Sequence, residues 1–116
     1  MPRPRKCRKV CCLPKINEFR PMGEIQQFIT LTVDEYETIR LIDKEGFSQE
    51  ECAKYMQVAR TTIQLVYNLA REKIATALVL GYGLRIEGGT YELCDGKESQ
   101  CNCGGCSKHR QRCKNR

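Results

Sequence analysis

Three cysteines fall within six residues, Cys101-x-Cys103-Gly104-Gly105-Cys106, and Cys94, Cys113 and the single histidine, His109, flank them. Thiolates this close repel one another unless a soft cation neutralises them, and zinc or an iron–sulfur cluster takes four such ligands. Gly104 and Gly105 permit the tight backbone path a metal loop requires. The spacing predicts a metal site of Cys101, Cys103, Cys106 and Cys113, with Cys94 and His109 as the other candidates for the fourth position. The competing reading is a tail of reactive thiols. Cys7, Cys11 and Cys12 form a second group with a weaker signal, because adjacent thiols do not readily bind one ion in relaxed geometry. They either join the later thiols at one site or have no role. Cys52 stands apart and reads as a small buried residue of a helix.

A second set of side chains suits a different chemistry. Arg60, Thr61, Gln64 and Asn68 recur at helical spacing, so they share one face of a helix. Arginine pairs two ways with guanine, and glutamine or asparagine two ways with adenine. Thr61 and Thr62 suit phosphate or a thymine methyl, and Arg71 extends the face. The bland alternative is the ordinary polar face of a protein-binding helical domain. No catalytic constellation is present: there is one histidine, no glycine-rich phosphate loop and no paired acids with a placed partner.

The charge distribution favours a polyanion. The net charge of +6 is concentrated in residues 1–20, which hold Arg3, Arg5, Lys6, Arg8, Lys9, Lys15 and Arg20 against Glu18, and in residues 101–116, which hold five bases and no acid. The stretch between is acidic, so DNA affinity would lean on the ends of the chain for charge. Nine cysteines without an apolar leader after the basic amino terminus point to a cytoplasmic protein with metal or redox chemistry, not to a disulfide framework. No run approaches the length of a membrane span.

These side chains need elements to position them. Pro2, Pro4, Pro14 and Pro21 keep residues 1–29 extended, with one short strand expected near Ile25–Thr30. Thr32 with Glu35, and Ser48 with Glu51, have capping-box spacing and predict two helix starts. The first helix turns Tyr36, Ile39, Leu41 and Ile42 inward and stops at Gly46; the second runs to about Met56. A third helix is predicted from near Arg60 to Leu80, ending at Gly81. Its inward stripe is Ile63, Val66, Tyr67, Ala70, Ile74, Ala77 and Leu78. Alternation in Leu84–Glu87 and Thr90–Leu93 around Gly88-Gly89 predicts a β-hairpin.

The second and third helices fit a helix-turn-helix. Cys52, Ala53 and Met56 face inward on one, Ile63 and Val66 on the other, and Val58 plugs the turn. Gln57 stands where many such turns have glycine. Ser48 to Leu78 resembles the carboxy-terminal helix-turn-helix of bacterial sigma factors. Arg3-Pro4-Arg5, Leu31-Thr32-x-Asp34-Glu35-x-Glu37-x-Ile39-Arg40-Leu41, Ser48-Gln49-Glu50-Glu51-x-Ala53 and Leu84-Arg85-Ile86-Glu87-Gly88-Gly89 together resemble a prokaryotic domain-of-unknown-function family, number 134, labelled as predicted DNA-binding. The resemblance covers about residues 2–93 and implies a sigma-like helix-turn-helix. It supplies no promoter, ligand or catalytic residue, and it does not extend to Cys7, Cys12 or the Cys-rich tail.

The expectation is a mainly α protein: a basic extended arm over 1–29, a three-helix helix-turn-helix domain with a β-hairpin over 30–93, and a Cys-rich basic tail over 94–116. The expected function is sequence-specific binding of double-stranded DNA by a transcriptional regulator that is not an enzyme. Arg3, Arg5, Lys6, Arg60, Thr61, Thr62, Gln64 and Asn68 are its DNA contacts, and the tail responds to metal or redox state through zinc or an iron–sulfur cluster. The partners are double-stranded DNA and no membrane, and the reading admits a homodimer. The alternative is a metal-handling or iron–sulfur scaffold whose helical domain docks a protein.

Overall fold

The computed structural model describes residues 8–11, 13–25 and 27–93. Three helices, Val33–Thr38 (α1), Gln49–Met56 (α2) and Arg60–Leu80 (α3), pack with a small set of strands. Each helix begins where the sequence places it. The Thr32 hydroxyl accepts from the Glu35 N–H at 3.3 Å while the Glu35 carboxylate accepts from the Thr32 N–H at 2.9 Å. Ser48 and Glu51 repeat the device at 3.0 and 2.8 Å. Both boxes satisfy helix-start donors that would otherwise lack partners. Gly81 caps α3 in the left-handed region at φ +74°, where a residue with a Cβ is disfavoured. One departure is that α1 runs on into a wider π-helical turn over Ile39–Lys44, with the Glu45 N–H reaching back to the Arg40 carbonyl.

The strands are Arg8–Val10 (β1), Glu18–Phe19 (β2), Phe28–Leu31 (β3), Gly83–Ile86 (β4) and Tyr91–Leu93 (β5). β4 is central in a three-stranded sheet, antiparallel to β2 and parallel to β3. β5 pairs with β1 in parallel, Val10 opposite Leu93. The expected hairpin is therefore absent: β4 and β5 lie in different sheets. The glycine pair serves another purpose. The Gly88 carbonyl accepts from the Val33 N–H at 3.0 Å, and at Gly89, with φ +99°, a Cβ would come within 2.9 Å of the Thr32 Cβ. Gly88-Gly89 is a close approach to the start of α1, and the local turn signal resembled that of a hairpin.

The folded unit also begins earlier than residue 30. The strand expected near Ile25–Thr30 appears at Phe28–Leu31, but β1 and β2 build sheet from the stretch read as an arm. Val10 is fully buried with Leu41, Met56 and Ile63 in the core. Beside it lies a buried charge pair. Glu37 has no exposure and accepts from Arg40 Nε and Nη2, both at 2.9 Å, and from the backbone N–H of Cys11 at 3.1 Å. Burial alone would lower the guanidinium pKa, but the hydrogen bonds and charge of Glu37 outweigh it and hold Arg40 protonated. The pair thus ties the end of β1 to α1. Along α3, Ile63, Val66, Tyr67, Ala70 and Ala77 are buried and Ile74 partly so. Leu78 departs from the expected stripe at 78% exposure: the inward line of the last turn passes through the buried Ala77 and leaves Leu78 outside.

Candidate nucleic-acid interface

Ser48 starts α2, and Cys52, Ala53 and Met56 anchor it in the core. The Cys52 sulfur lies 3.8 Å from that of Met56, and burial pushes its thiol up to about 12, so it is an inert packing group. Gln57 ends the helix at φ 63°, ψ 43°, the left-handed conformation common just after a helix end. The Val58 N–H then bonds the Ala53 carbonyl at 3.1 Å, and the Val58 side chain packs on the core. Ala59 is extended, and α3 begins at Arg60. The connection from Gln57 to Ala59 therefore leads from α2 into α3 within three residues and fixes the rotation of α3.

That rotation exposes Arg60, Thr61, Gln64, Asn68 and Arg71 on one face; Thr62 lies half-buried at its flank. Arg71 sits 3.9 Å from Asp43 and 5.4 Å from the Tyr67 ring. The Tyr67 hydroxyl also donates to Asp43 at 2.7 Å, which clamps α3 to the π-helical turn. Among the described residues no ion pair engages Arg60. The start of α3 carries no acidic residue and no side-chain cap, so its first N–H groups face outward with the partial positive charge of a helix start.

Two features were missed. Leu65 and Leu69 are 65% and 45% exposed, beside the polar residues of the same helix; their four-residue spacing outside the inward stripe is a signal that sequence reading could have used. Lys9 of β1 lies 4.7 Å from the centre of the Tyr55 ring on α2, which sets one basic residue of the amino-terminal segment against the α2–α3 unit. The other expected site residues, Arg3, Arg5, Lys6, Cys101, Cys103, Cys106 and Cys113, lie outside the described residues, as do Cys7, Cys12, Cys94 and His109. Among the described residues no cluster of three His, Cys, Asp or Glu side chains is placed to hold a metal, and no helix is long and apolar enough to cross a membrane.

The profile of a family described as "Protein of unknown function DUF134" matches residues 1–94. A UPF0251 protein of Desulfitobacterium hafniense is 60% identical over 116 residues, covering 97% of this chain and 91% of the relative. A UPF0251 protein of Caldicellulosiruptor bescii is 50% identical, covering 90% and 74%, and one of Thermoanaerobacter pseudethanolicus is 48% identical, covering 82% and 83%. No solved structure matches the chain. With a family profile over most of its length and relatives this similar from end to end, the chain belongs to the DUF134 family of UPF0251 proteins.

Proposed function

We propose that the protein binds double-stranded DNA in a sequence-specific manner and regulates transcription, with α2, the Gln57–Ala59 connection and α3 acting as a helix-turn-helix. The observation that carries this reading is the division of α3. Ile63, Val66 and Tyr67 are locked into the core, while Arg60, Thr61, Gln64 and Asn68 are exposed together over the first turns of the helix. That is the set of side chains, at the end of the helix, that a recognition helix presents to the major groove. Arg60 and Gln64 are assigned to base edges, Thr61 and Thr62 to phosphate, and Asn68 to the far end of the footprint. Arg3, Arg5 and Lys6 supply charge to the phosphate backbone.

The alternative, a helical domain that docks a protein, draws on Leu65 and Leu69, whose exposed side chains on the same helix suit an apolar partner surface. Selection of bound fragments from genomic DNA, followed by titration of the recovered site, separates the two. Arg60→Ala and Gln64→Ala should each cost about 1–3 kcal/mol of discrimination at one or two base positions, with an unchanged helical signal because both residues are exposed. Removing residues 1–7, which leaves β1 in place, removes Arg3, Arg5 and Lys6. It should weaken binding to all sequences and lower the salt slope by up to about 3. Wild-type affinity and preference in both point variants would refute the recognition-helix assignment.

A further inference from the structure

Besides its inward stripe and its polar face, α3 carries a third line of side chains. At about 100° per residue, Leu65, Leu69, Glu72, Thr76, Val79 and Leu80 fall within about 50° of one line along the helix. Leu65, Leu69, Val79 and Leu80 are 65%, 45%, 81% and 57% exposed, so the described residues leave both apolar ends of the line uncovered. The stretch 94–116 holds no Leu, Ile, Val, Met, Phe or Tyr that could cover them. These four side chains expose roughly 450 Å² in one copy, so a pair would bury roughly 900 Å² before its rim is counted, near the threshold of about 1,000 Å² for a specific interface. The order of residues along the line is also its own complement. Reversed about the point between Glu72 and Lys73, Leu65 falls on Leu80, Leu69 on Thr76 and Glu72 on Lys73. The Lys73 side chain is 32% exposed, and its ammonium has donors beyond the one given to Glu35 at 2.8 Å.

We propose that this line is a dimer interface, in which α3 of one chain lies antiparallel to α3 of a second copy about a two-fold axis between Glu72 and Lys73. Each apolar end then meets the opposite end of the second copy, and each Glu72 meets a Lys73. Such a contact is isologous and closes at two chains. The axis runs perpendicular to both helices and to the line joining them, so a face about a quarter turn round α3 from the contact points the same way in both copies. Asn68 and Gln64 lie about 70° and 110° round α3 from the line, so both recognition faces turn to one side. Thr61 lies about 17 Å from the midpoint at a rise of about 1.5 Å per residue, which sets the two recognition-helix starts about 35 Å apart. One turn of DNA, the spacing of paired half-sites, is about 34–36 Å. The dimer stands without the DNA-binding reading; the operator geometry rests on it.

Sedimentation equilibrium of the full, reduced chain is the test. Wild type should reach twice the chain mass, with a dissociation constant of roughly 1–100 μM for a contact this small. Leu65→Glu and Leu80→Glu should each weaken the dimer at least about tenfold, with an unchanged helical signal because both side chains are exposed. The double variant Leu65→Glu/Leu80→Lys places opposite charges across the antiparallel pair, and Leu65→Glu/Leu80→Glu places like charges there, so the first should dimerise more tightly than the second. DNA selected by wild type should be a palindrome with half-sites one turn apart, and inserting about half a turn between them should abolish binding of one dimer to both. A wild-type chain still monomeric at roughly 1 mM, single variants that dimerise as wild type does, or double variants that dimerise equally would overturn the proposal. A dimer that binds no DNA would leave the interface standing and sink the DNA-binding reading. A dimer whose operator lacks the two-fold spacing would overturn the alignment of the recognition faces.

Discussion

Replacing Glu37 by Ala should be among the most destabilising single changes outside the aliphatic core. The carboxylate has no exposure, and it accepts three hydrogen bonds: two from Arg40 and one from the Cys11 backbone. Removing it leaves a guanidinium whose side chain is only 15% exposed without that partner. Arg40 keeps a 3.8 Å contact with Glu45, which offsets part of the loss. Breaking one side of a buried pair costs about 3–5 kcal/mol, and the stranded Cys11 N–H adds about 1–3 kcal/mol if water does not reach it. Allowing for Glu45 and some hydration, the expected loss is about 3–5 kcal/mol. Domains of this size hold roughly 5–15 kcal/mol in total, and each kcal/mol moves the midpoint about 4–8 °C. Urea unfolding followed by circular dichroism should show that loss. Hydrogen exchange should place the first opening at β1, with the Val10 and Cys11 amides losing protection before those of α3. Glu37→Gln keeps the shape and one acceptor, and should lose less. A loss below about 1 kcal/mol for the alanine variant, or β1 amides that stay as protected as those of α3, would show that the pair does not hold β1 in place.

Two further outcomes follow from local geometry. Gln57 sits at φ 63°, a region that costs a side chain about 1–2 kcal/mol relative to glycine. Gln57→Gly should therefore match wild type or gain up to about 1 kcal/mol after the entropy of the unfolded chain is counted, and Gln57→Val should lose about 1–2 kcal/mol; unfolding midpoints in the reverse order would refute the turn assignment. Glu18 accepts from Arg85 at 2.9 Å and Arg20 at 3.0 Å, and these bonds hold its carboxyl below the ordinary 4.5. A lowered folded value means that the contribution is full above 4.5 and lost as pH falls through the folded value, so the stability gap between wild type and Glu18→Gln should close in acid, and a gap constant from neutral pH to strong acid would refute it.

The helices were legible because their signals are local. Thr32 with Glu35, Ser48 with Glu51, and Gly81 after Leu80 each act within four residues, and all three boundaries agree with the structure. The exposed face of α3 was legible for the same reason: once Ile63, Val66 and Tyr67 turn inward, the period of 3.6 leaves Arg60, Gln64 and Asn68 outside. Strand partners were not legible. Alternation in Leu84–Glu87 marks a strand but says nothing about whether it pairs with Thr90–Leu93 or, as found, with Phe28–Leu31 and Glu18–Phe19. Gly88-Gly89 compounded this, since a left-handed glycine pair serves a tight turn and a close approach to α1 equally well. Nor does any short-range pattern mark Val10 as core, because the elements packed around β1 are β5, α1 and α2, all distant in sequence.

The place of β1 in the fold bears on function. Residues 21–100 are net acidic, so on the DNA-binding reading affinity depends on basic residues before β1 reaching the same duplex as α3. An arm free from residue 1 to 29 would have to be ordered at binding, at a cost in entropy. In the fold, β1 is instead pinned by Glu37 at Cys11, by Leu93 across the sheet, and by the contact of Lys9 with Tyr55 on α2. The residues before Arg8 therefore start from a point already fixed beside the α2–α3 unit. Glu37 therefore connects two properties that the sequence presents as unrelated, the stability of the domain and the anchoring of its basic arm. On this reasoning a Glu37→Gln chain that still folds should bind DNA more weakly in proportion to how far β1 is released, with its preference among sequences, which belongs to α3, unchanged.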